Sequence, residues 1–152
     1  MDSFDMMVGR WWVTNRRLDE RFADCDLWTE FAADYECWSH MDGRVSIDRM
    51  SCVRNGESFT GMSVRTLEAD TGDWTIYWMD SNGVVLLEQV RGKFVDGEGV
   101  FHGEDIIDGE AYPLRFTWSN TSPDAARWTQ AYKIPGTETW ETNWTMDFYR
   151  QK

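Results

Sequence analysis

The chain is poor in cysteine and proline and has no long apolar run. Among 152 residues there are three cysteines and three prolines. Cys25, Cys37 and Cys52 form no CxxC pair and are odd in number, so we expect buried free thiols and not a disulfide framework. No stretch approaches the roughly 20 apolar residues of a membrane span, and the acidic start lacks the basic residues of a signal peptide. We therefore expect a cytoplasmic protein without a membrane partner.

Basic residues are also scarce. Fifteen Lys and Arg face 27 Asp and Glu, which leaves a formal net charge of −12. A surface of this sign repels phosphate backbones, so a nucleic-acid partner is not expected. The same charge keeps an aromatic-rich chain soluble.

Tryptophan, in contrast, is abundant, with ten residues. Each indole buries on the order of 150–250 Å² and seeks an acceptor for its N–H. So many rings in a chain of this length predict either a very aromatic core or a cavity lined with aromatic side chains.

Turn signals divide the chain into short segments rich in β-branched and aromatic residues. Asn-Gly and Asp-Gly pairs favour tight hairpins because both central positions tolerate positive φ. Many short strands joined by hairpins predict an all-β protein built as one antiparallel meander, with residues 1–152 in a single domain. The predicted strands are roughly 9–17, 27–40, 44–54, 57–68, 73–80, 84–95, 98–107, 111–118, 126–134 and 138–150. Residues 17–25 are left open, as a short helical turn or as an extension of the first hairpin.

The last segment, 138–150, shows how the two ends of the meander meet. Its aromatic residues are four apart, which suits a helix, but they also alternate, which suits a strand. The preceding turn and three threonines favour a strand whose even face, from Trp140 to Phe148, points inward. Closure of the first strand on the last removes both exposed edges. The prediction is a closed barrel of about eight to ten strands, wide enough for one small ligand.

Several blocks of the chain are similar to a known family. It resembles the bacterial DUF1579-like family of hypothetical proteins, and this resemblance implies a calycin barrel, the architecture of lipocalins and fatty-acid-binding proteins. Calycins bind hydrophobic small molecules, so the resemblance also implies a ligand cavity. The blocks that carry it are VGRWWVTNRRL (8–18), LWTEF (27–31), SVRTL (63–67), WTIYWMDS (74–81), GKFVDGEGVFHGED (92–105), LRFTW (114–118), ARWTQAY (126–132) and TWETNWTMDF (139–148).

Three arginines interrupt apolar or aromatic strands. Arg17, Arg65 and Arg115 would each need a partner or an anion if they faced the barrel interior. Glu30 is a candidate partner for Arg17. The functional interpretation is a ligand carboxylate held by one arginine, and the alternative is that all three face solvent and pair with surface acids.

Tryptophans near strand centres are candidates to line the cavity. Ligand pockets are mostly apolar with a few well-placed polar groups, and Tyr77 and Gln130 are candidates for those groups. A packed core without room for a ligand remains the alternative. The expected tryptophans are Trp78, Trp118, Trp128, Trp140 and Trp144.

Signals for metal or covalent chemistry are weak. His40 and His102 are far apart in sequence, and alternation puts Asp105 on the opposite face from His102, so no metal and no cofactor is expected. No GxSxG or activated nucleophile occurs.

Two functions follow as hypotheses. The first is a binding protein, monomeric or homodimeric, that holds a small hydrophobic or aromatic ligand, with or without an anionic group. The second is a cofactor-free isomerase or cyclase of small-molecule metabolism that uses the same cavity, with Glu30 and Tyr77 as acid–base groups.

Overall fold

The chain forms a closed, ten-stranded antiparallel β-barrel, as a computed structural model covering residues 1–152 shows. Each strand pairs with its neighbours in sequence, so the barrel is a simple meander. The predicted all-β meander is confirmed. The strands are β1 (Gly9–Leu18), β2 (Trp28–His40), β3 (Val45–Arg54), β4 (Glu57–Glu68), β5 (Asp73–Asp80), β6 (Gly83–Val95), β7 (Glu98–Ile107), β8 (Glu110–Ser122), β9 (Ala125–Lys133) and β10 (Trp140–Arg150).

Pairing of β1 with β10 closes the barrel. The two strands run antiparallel from Trp11 opposite Arg150 to Arg17 opposite Trp144. Their inner side chains meet in the core, where the Trp11 and Phe148 rings contact edge to face with centroids 6.3 Å apart. Closure satisfies the backbone hydrogen bonds of both terminal strands, which an open meander would leave as exposed edges.

A 3₁₀ helix, Phe4–Met7, seals one end of the barrel. Phe4 and Met7 are fully buried. The Phe4 ring packs against four aromatic rings, those of Trp74, Phe94, Phe101 and Trp118. The Trp11 indole donates to the Met7 carbonyl at 2.8 Å, which holds the helix in place. We call this end the floor; the helix is the only one in the chain, and it is far too short to span a bilayer.

The opposite end, which we call the mouth, carries the connection 19–27 between β1 and β2. Residues 19–27 are irregular, so neither a helical turn nor an extended hairpin describes them. Phe22 adopts φ 57° and packs on the rings of Tyr112 and Tyr132. Its backbone N–H donates to the Glu141 carboxylate at 2.9 Å. The connection therefore folds across the mouth toward β8, β9 and β10.

A β-bulge divides β10 into two parts, and the even-numbered side chains point to opposite sides of the barrel wall in the two parts. The register with β9 shifts between Thr142 and Trp144, so Asn143 is an extra residue. Trp144, Met146 and Phe148 point inward as predicted, but the bulge turns Glu141 inward. The prediction that Trp140 shares the inward face is wrong, because alternation restarts at the bulge and leaves this ring on the outer surface.

The β6–β7 seam is held close by two glycines. A Cβ on Gly92 would lie 1.9 Å from the Val100 carbonyl oxygen, and one on Gly103 would lie 2.0 Å from that of Gln89. Pairing between the strands runs only from Val95 with Glu98 to Val90 with Gly103. Beyond this point, toward the mouth, β6 and β7 separate.

We predict that Gly92→Ala lowers the free energy of unfolding by about 1–3 kcal/mol, the usual cost of overpacking. The clash is with backbone, so no side-chain rotation relieves it. Gly83→Ala is the matched control, because no atom lies within 4 Å of its added Cβ, and it should change stability by less than about 0.5 kcal/mol. Urea unfolding followed by tryptophan fluorescence measures both; equal effects would contradict the close-approach explanation.

Candidate functional site

A cavity of about 300 Å³ lies inside the barrel on the mouth side of the core. A cleft of about 670 Å³ lies at the rim of the mouth and shares Arg17, Arg21 and Arg54 with the cavity lining. Both volumes fall in the range of small-molecule sites, roughly 300–1,000 Å³. The cavity and the cleft together make this end of the barrel the candidate site.

Four of the five tryptophans named from the sequence form the apolar wall of the cavity. They are Trp78, Trp118, Trp128 and Trp144. Trp128 and Trp144 contact edge to face with centroids 5.3 Å apart. The Trp78 ring lies over Gly61, where a Cβ would come within 2.1 Å of it, and its N–H donates to Asp80 at 3.0 Å. These contacts fix the rings around the cavity.

Arg65 lies at the deep end of the cavity and is 1% exposed. Its guanidinium forms an ion pair with Asp48 and donates to Ser46 at 3.0 Å and to Tyr35 at 3.2 Å. The Phe4 and Trp118 rings lie 4.4 and 5.2 Å from its Cζ. Its charge is thus compensated within the protein, although its Nε–H has no acceptor.

The Asp48 carboxylate is the acceptor at the centre of this network. It accepts from Tyr35 at 2.7 Å and from the Ser63 backbone N–H at 2.8 Å, besides Arg65. Burial raises the pKa of Tyr35 well above its ordinary value, against the opposing charge of Arg65. Tyr35 therefore stays protonated and acts as a donor, and the deep end is a structural ion pair that ties β2, β3 and β4 together.

Three other arginines surround the mouth without any counterion. Arg17, Arg21 and Arg54 make no ion pair and no side-chain hydrogen bond. Each lies against an aromatic ring, with Cζ-to-centroid distances of 4.5 Å to Trp144, 5.7 Å to Tyr132 and 4.9 Å to Phe31, respectively.

The electrostatics of the mouth follow from this grouping. Burial lowers the pKa of Arg17, and the charges of Arg54 and Arg21 lower it further. Three guanidiniums that repel one another in a chain of net charge −12 are unusual, because 27 acidic side chains were available as partners. The rim cleft also contains Asp19, which accepts from Thr29, and Glu30, which pairs with Arg16, but neither pairs with these three arginines. The three positive charges are therefore free to attract an anion.

Two buried amide pairs connect the cavity wall with the rim. Trp144 donates to Asn15 at 2.9 Å, and Gln130, predicted as a polar group of the pocket, donates to Asn143 at 2.8 Å. The amide nitrogens of Asn15 and Asn143 are buried and have no acceptor. Asn143 also lines the rim cleft. Unpaired donors of this kind add to the excess of donors over acceptors beside Arg17.

The remaining predicted residues lie outside the cavity. Glu30 pairs with Arg16 at 3.1 Å, not with Arg17, and reaches only the outer rim cleft. Tyr77 does not line the cavity, since it lies between the inward-facing Ile76 and Trp78. Tyr77 was expected to supply a polar group to the pocket, and Glu30 and Tyr77 to act together there, but the structure does not bring the two together.

Arg115 and Trp140 stack on each other on the outer surface, with the Arg115 Cζ 4.6 Å from the Trp140 ring. The His102 ring packs against the same tryptophan at 5.9 Å between centroids. The expectation that Arg115 and Trp140 contact a cavity ligand does not match this placement. Arg115 faces outward because strand alternation places it between the buried residues Leu114 and Phe116. Trp140 faces outward because of the bulge at Asn143.

Arg21 and Arg54 were missed from the sequence, although a signal existed. Hairpin connections of a meander alternate between the two ends of a barrel, so the connection 19–27 and the turn after Arg54 must lie at the same end as Arg17. The partner of Arg65 was also missed: Asp48 lies on the neighbouring strand, at a register that only the structure defines. No cluster of three or more metal-ligating side chains is present.

We predict that Asp48→Asn destabilises the fold by about 3–5 kcal/mol, because it leaves the buried Arg65 charge without its counterion. Asp147→Asn is the control: it removes an exposed pair with Arg127 and should cost about 0–1 kcal/mol. Chemical denaturation of both variants measures the difference. Similar losses in the two would show that the buried pair has no special role.

Comparison with a solved structure supports the fold. No family model matches the chain, so the DUF1579-like resemblance is not confirmed, and no curated protein matches it by sequence. Among solved structures, the chain is similar to the S-type phycobiliprotein lyase CPES from Guillardia theta, with 16% identity, a TM-score of 0.64, and coverage of 98% of this chain and 90% of that one. The ywiB protein from Bacillus subtilis also matches, with 10% identity, a TM-score of 0.42, and coverage of 95% and 93%. The likeness to the lyase shows that the chain shares the overall fold of that structure, and this fold is the closed barrel described above.

Proposed function

We propose that this barrel binds a small, mainly apolar or aromatic molecule that carries a carboxylate. The apolar body occupies the cavity between the indoles, and the carboxylate lies at the mouth among the three unpaired arginines. The observation that carries the proposal is that Arg17, Arg21 and Arg54 meet without a counterion at the opening of a tryptophan-lined cavity.

The arginine group supports an anionic ligand on energetic grounds. A carboxylate between these guanidiniums would relieve their mutual repulsion and make charge-assisted hydrogen bonds, which are among the stronger polar contacts in proteins. Arg17 and Arg54 are partly buried, so their interaction with an anion is screened less than at an open surface. Stacking on Trp144 and Phe31 already orients both guanidiniums, which reduces the entropy lost on binding.

The indole wall supports an apolar or conjugated body. Flat ligands stack on aromatic faces, and the cavity offers rings from four different strands, β5, β8, β9 and β10. The polar groups of the lining lie mainly at the mouth and beside β6, and those of the Arg65 network at the deep end are already paired with each other. A ligand with many hydroxyls would leave its own polar groups without partners there.

The enzyme alternative lacks its predicted acid–base pair. Glu30 is exposed and paired with Arg16, and Tyr77 is absent from the cavity lining. General acid–base catalysis requires a group within hydrogen-bond reach of the reacting atom. We therefore propose binding, and do not propose Glu30 and Tyr77 as catalytic residues.

The choice of probes follows the chemistry of the site. Biliverdin has a long conjugated body and two carboxylates, its dimethyl ester has the same body without charge, and oleate has one carboxylate on an aliphatic chain. The similarity to a phycobiliprotein lyase supports an open-chain tetrapyrrole among the probes.

We predict that biliverdin quenches the intrinsic tryptophan fluorescence saturably, because it enters a cavity walled by four indoles. The dimethyl ester should bind at least about tenfold more weakly, a loss of roughly 1.4 kcal/mol. Fluorescence titration measures both dissociation constants. Absence of quenching by all three probes would overturn the proposal, and equal affinity for acid and ester would overturn its arginine part alone.

We predict that Arg17→Gln and Arg54→Gln each weaken biliverdin binding about tenfold, since a hydrogen bond to a charged group contributes roughly 1.5–3 kcal/mol. Arg44→Gln is the matched control, because Arg44 is exposed near the floor, in the turn before β3. It removes one positive charge without touching the mouth. If Arg44→Gln weakened binding equally, net charge and not the arginine group would explain the affinity.

A further inference from the structure

The part of β6 next to the mouth has a strand on only one side. Over Gly83–Gln89 it faces β5, but its pairing with β7 begins only at Val90. Residues 104–107 of β7 are likewise unpaired on this side. The barrel wall is thus open laterally between these two segments.

This segment of β6 also bows away from β5. The register between the two strands shifts twice: Ile76 pairs with Val90 and Asp80 pairs with Gly83. An advance of four residues along β5 therefore corresponds to an advance of seven residues along β6. The extra residues bulge outward and cannot all be buried under β5.

The bowed segment is apolar and exposed. Val84, Val85, Leu86 and Leu87 are consecutive and 81%, 61%, 49% and 62% exposed. Ile106, across the gap on β7, is 65% exposed. Isolated exposed apolar residues are common, but a contiguous group with polar surroundings marks an interaction surface. We call residues 84–87 with Ile106 the lateral patch.

Acidic side chains without basic partners surround the lateral patch. Two of them, Glu104 and Asp108, are exposed and make no side-chain hydrogen bond or ion pair. Asp105 accepts from Tyr132 at 2.5 Å, Glu110 accepts from Tyr112 at 3.0 Å, and Asp80 accepts from Trp78. None of the five forms an ion pair, so the negative charge beside the patch is uncompensated.

We propose that the lateral patch docks a partner protein through an extended, apolar segment flanked by lysine or arginine. The segment would lie along the free edge of β6, where unpaired backbone groups accept an added strand. Its apolar side chains would cover Val84 to Leu87, and its basic residues would face Glu104 and Asp108. This inference goes beyond ligand binding and does not depend on it.

Charge decides against a second copy as the occupant. Each chain carries −12, and a two-fold contact at this edge would place the same unpaired acids opposite each other. An anionic membrane is disfavoured for the same reason. A basic partner instead gains from the exposed carboxylates of Glu104, Asp108 and Glu110.

The location gives the contact a use. Gln89 on β6 and Asp105 on β7 line the cavity and belong to the two segments that flank the gap, so a partner docked here lies beside the cavity contents. The arginines of the mouth lie on β1, β3 and the connection 19–27, away from β6. The two surfaces are therefore separate and can be tested separately.

The test is a titration of the ¹⁵N-labelled protein, without any cavity ligand, with short synthetic peptides that share a Val-Leu core. One peptide is flanked by lysines and the other by glutamates. We expect the lysine peptide to shift the amides of residues 83–89 and 104–107 saturably, with an affinity that falls as salt is added. The glutamate peptide should bind at least fivefold more weakly.

Matched variants separate the patch from the general acidity of the chain. Leu86→Ser, and Glu104→Gln combined with Asp108→Asn, should each weaken the lysine peptide at least fivefold. Their controls lie at the floor end: Val95→Ser, which is 59% exposed, and Glu68→Gln combined with Asp70→Asn, which are exposed and unpaired. The controls should leave the affinity unchanged.

Four results would overturn the docking proposal. They are absence of lysine-peptide binding, shifts spread evenly over the acidic surface, equal losses in the floor-end controls, and concentration-dependent shifts of residues 83–89 without peptide, which would identify a second copy. Binding of neutral phosphatidylcholine vesicles through the same residues in place of the peptide would assign the patch to a lipid surface. The proposed ligand-binding function is tested separately, by the biliverdin titration.

Discussion

The pairing of β1 with β10 is the constraint on which the rest of the molecule depends. Without it, the meander would be an open sheet with two unpaired edges, and the indoles that now face one another would face water. Closure converts a row of alternating side chains into an interior with two ends. One end is filled by the 3₁₀ helix through Phe4 and Met7, so the remaining space opens only toward the mouth and the β6–β7 gap.

Inside this closed wall, charge is handled in two opposite ways. Arg65 is buried with its counterion Asp48 and two hydroxyl partners, which makes it part of the framework. Arg17, Arg21 and Arg54 have aromatic neighbours but no counterion, which leaves them available. The same residue type therefore has a structural role at the deep end and fits a ligand-binding role at the mouth. Burial alone would have suggested Arg65 as the ligand-binding arginine. The absence of an internal partner instead suggests the other three.

Much of the fold could be predicted from the residues, because the signals are local. Asn-Gly and Asp-Gly turns and period-two alternation placed all ten strands with every end within four residues of the observed one, and edge avoidance predicted their closure. The inward direction of Trp118 and Trp128 follows from the same alternation. These features need no knowledge of distant contacts.

The features that the residues alone did not predict depend on the register between neighbouring strands and on how the chain ends pack. One extra residue at Asn143 reverses the facing of Trp140, and no composition or spacing signal marks a bulge. The partner of Arg65 depends on which residue of β3 lies beside it on β4. Glu30 pairs with Arg16 and not with Arg17, because Arg16 is the residue that shares its face of the sheet. The plug formed by residues 4–7 depends on long-range packing against four rings.

The bulge at Asn143 has a consequence for the connection 19–27 that covers the mouth. Because it turns Glu141 inward, this carboxylate meets the Phe22 amide and holds the connection 19–27 over the opening. If β10 instead alternated regularly through Asn143, without the bulge, Trp140 would face the interior and Glu141 would face bulk water. The opening would then lose the carboxylate that holds its cover and would gain a fifth indole, so one register shift in β10 decides whether the connection 19–27 is held over the cavity.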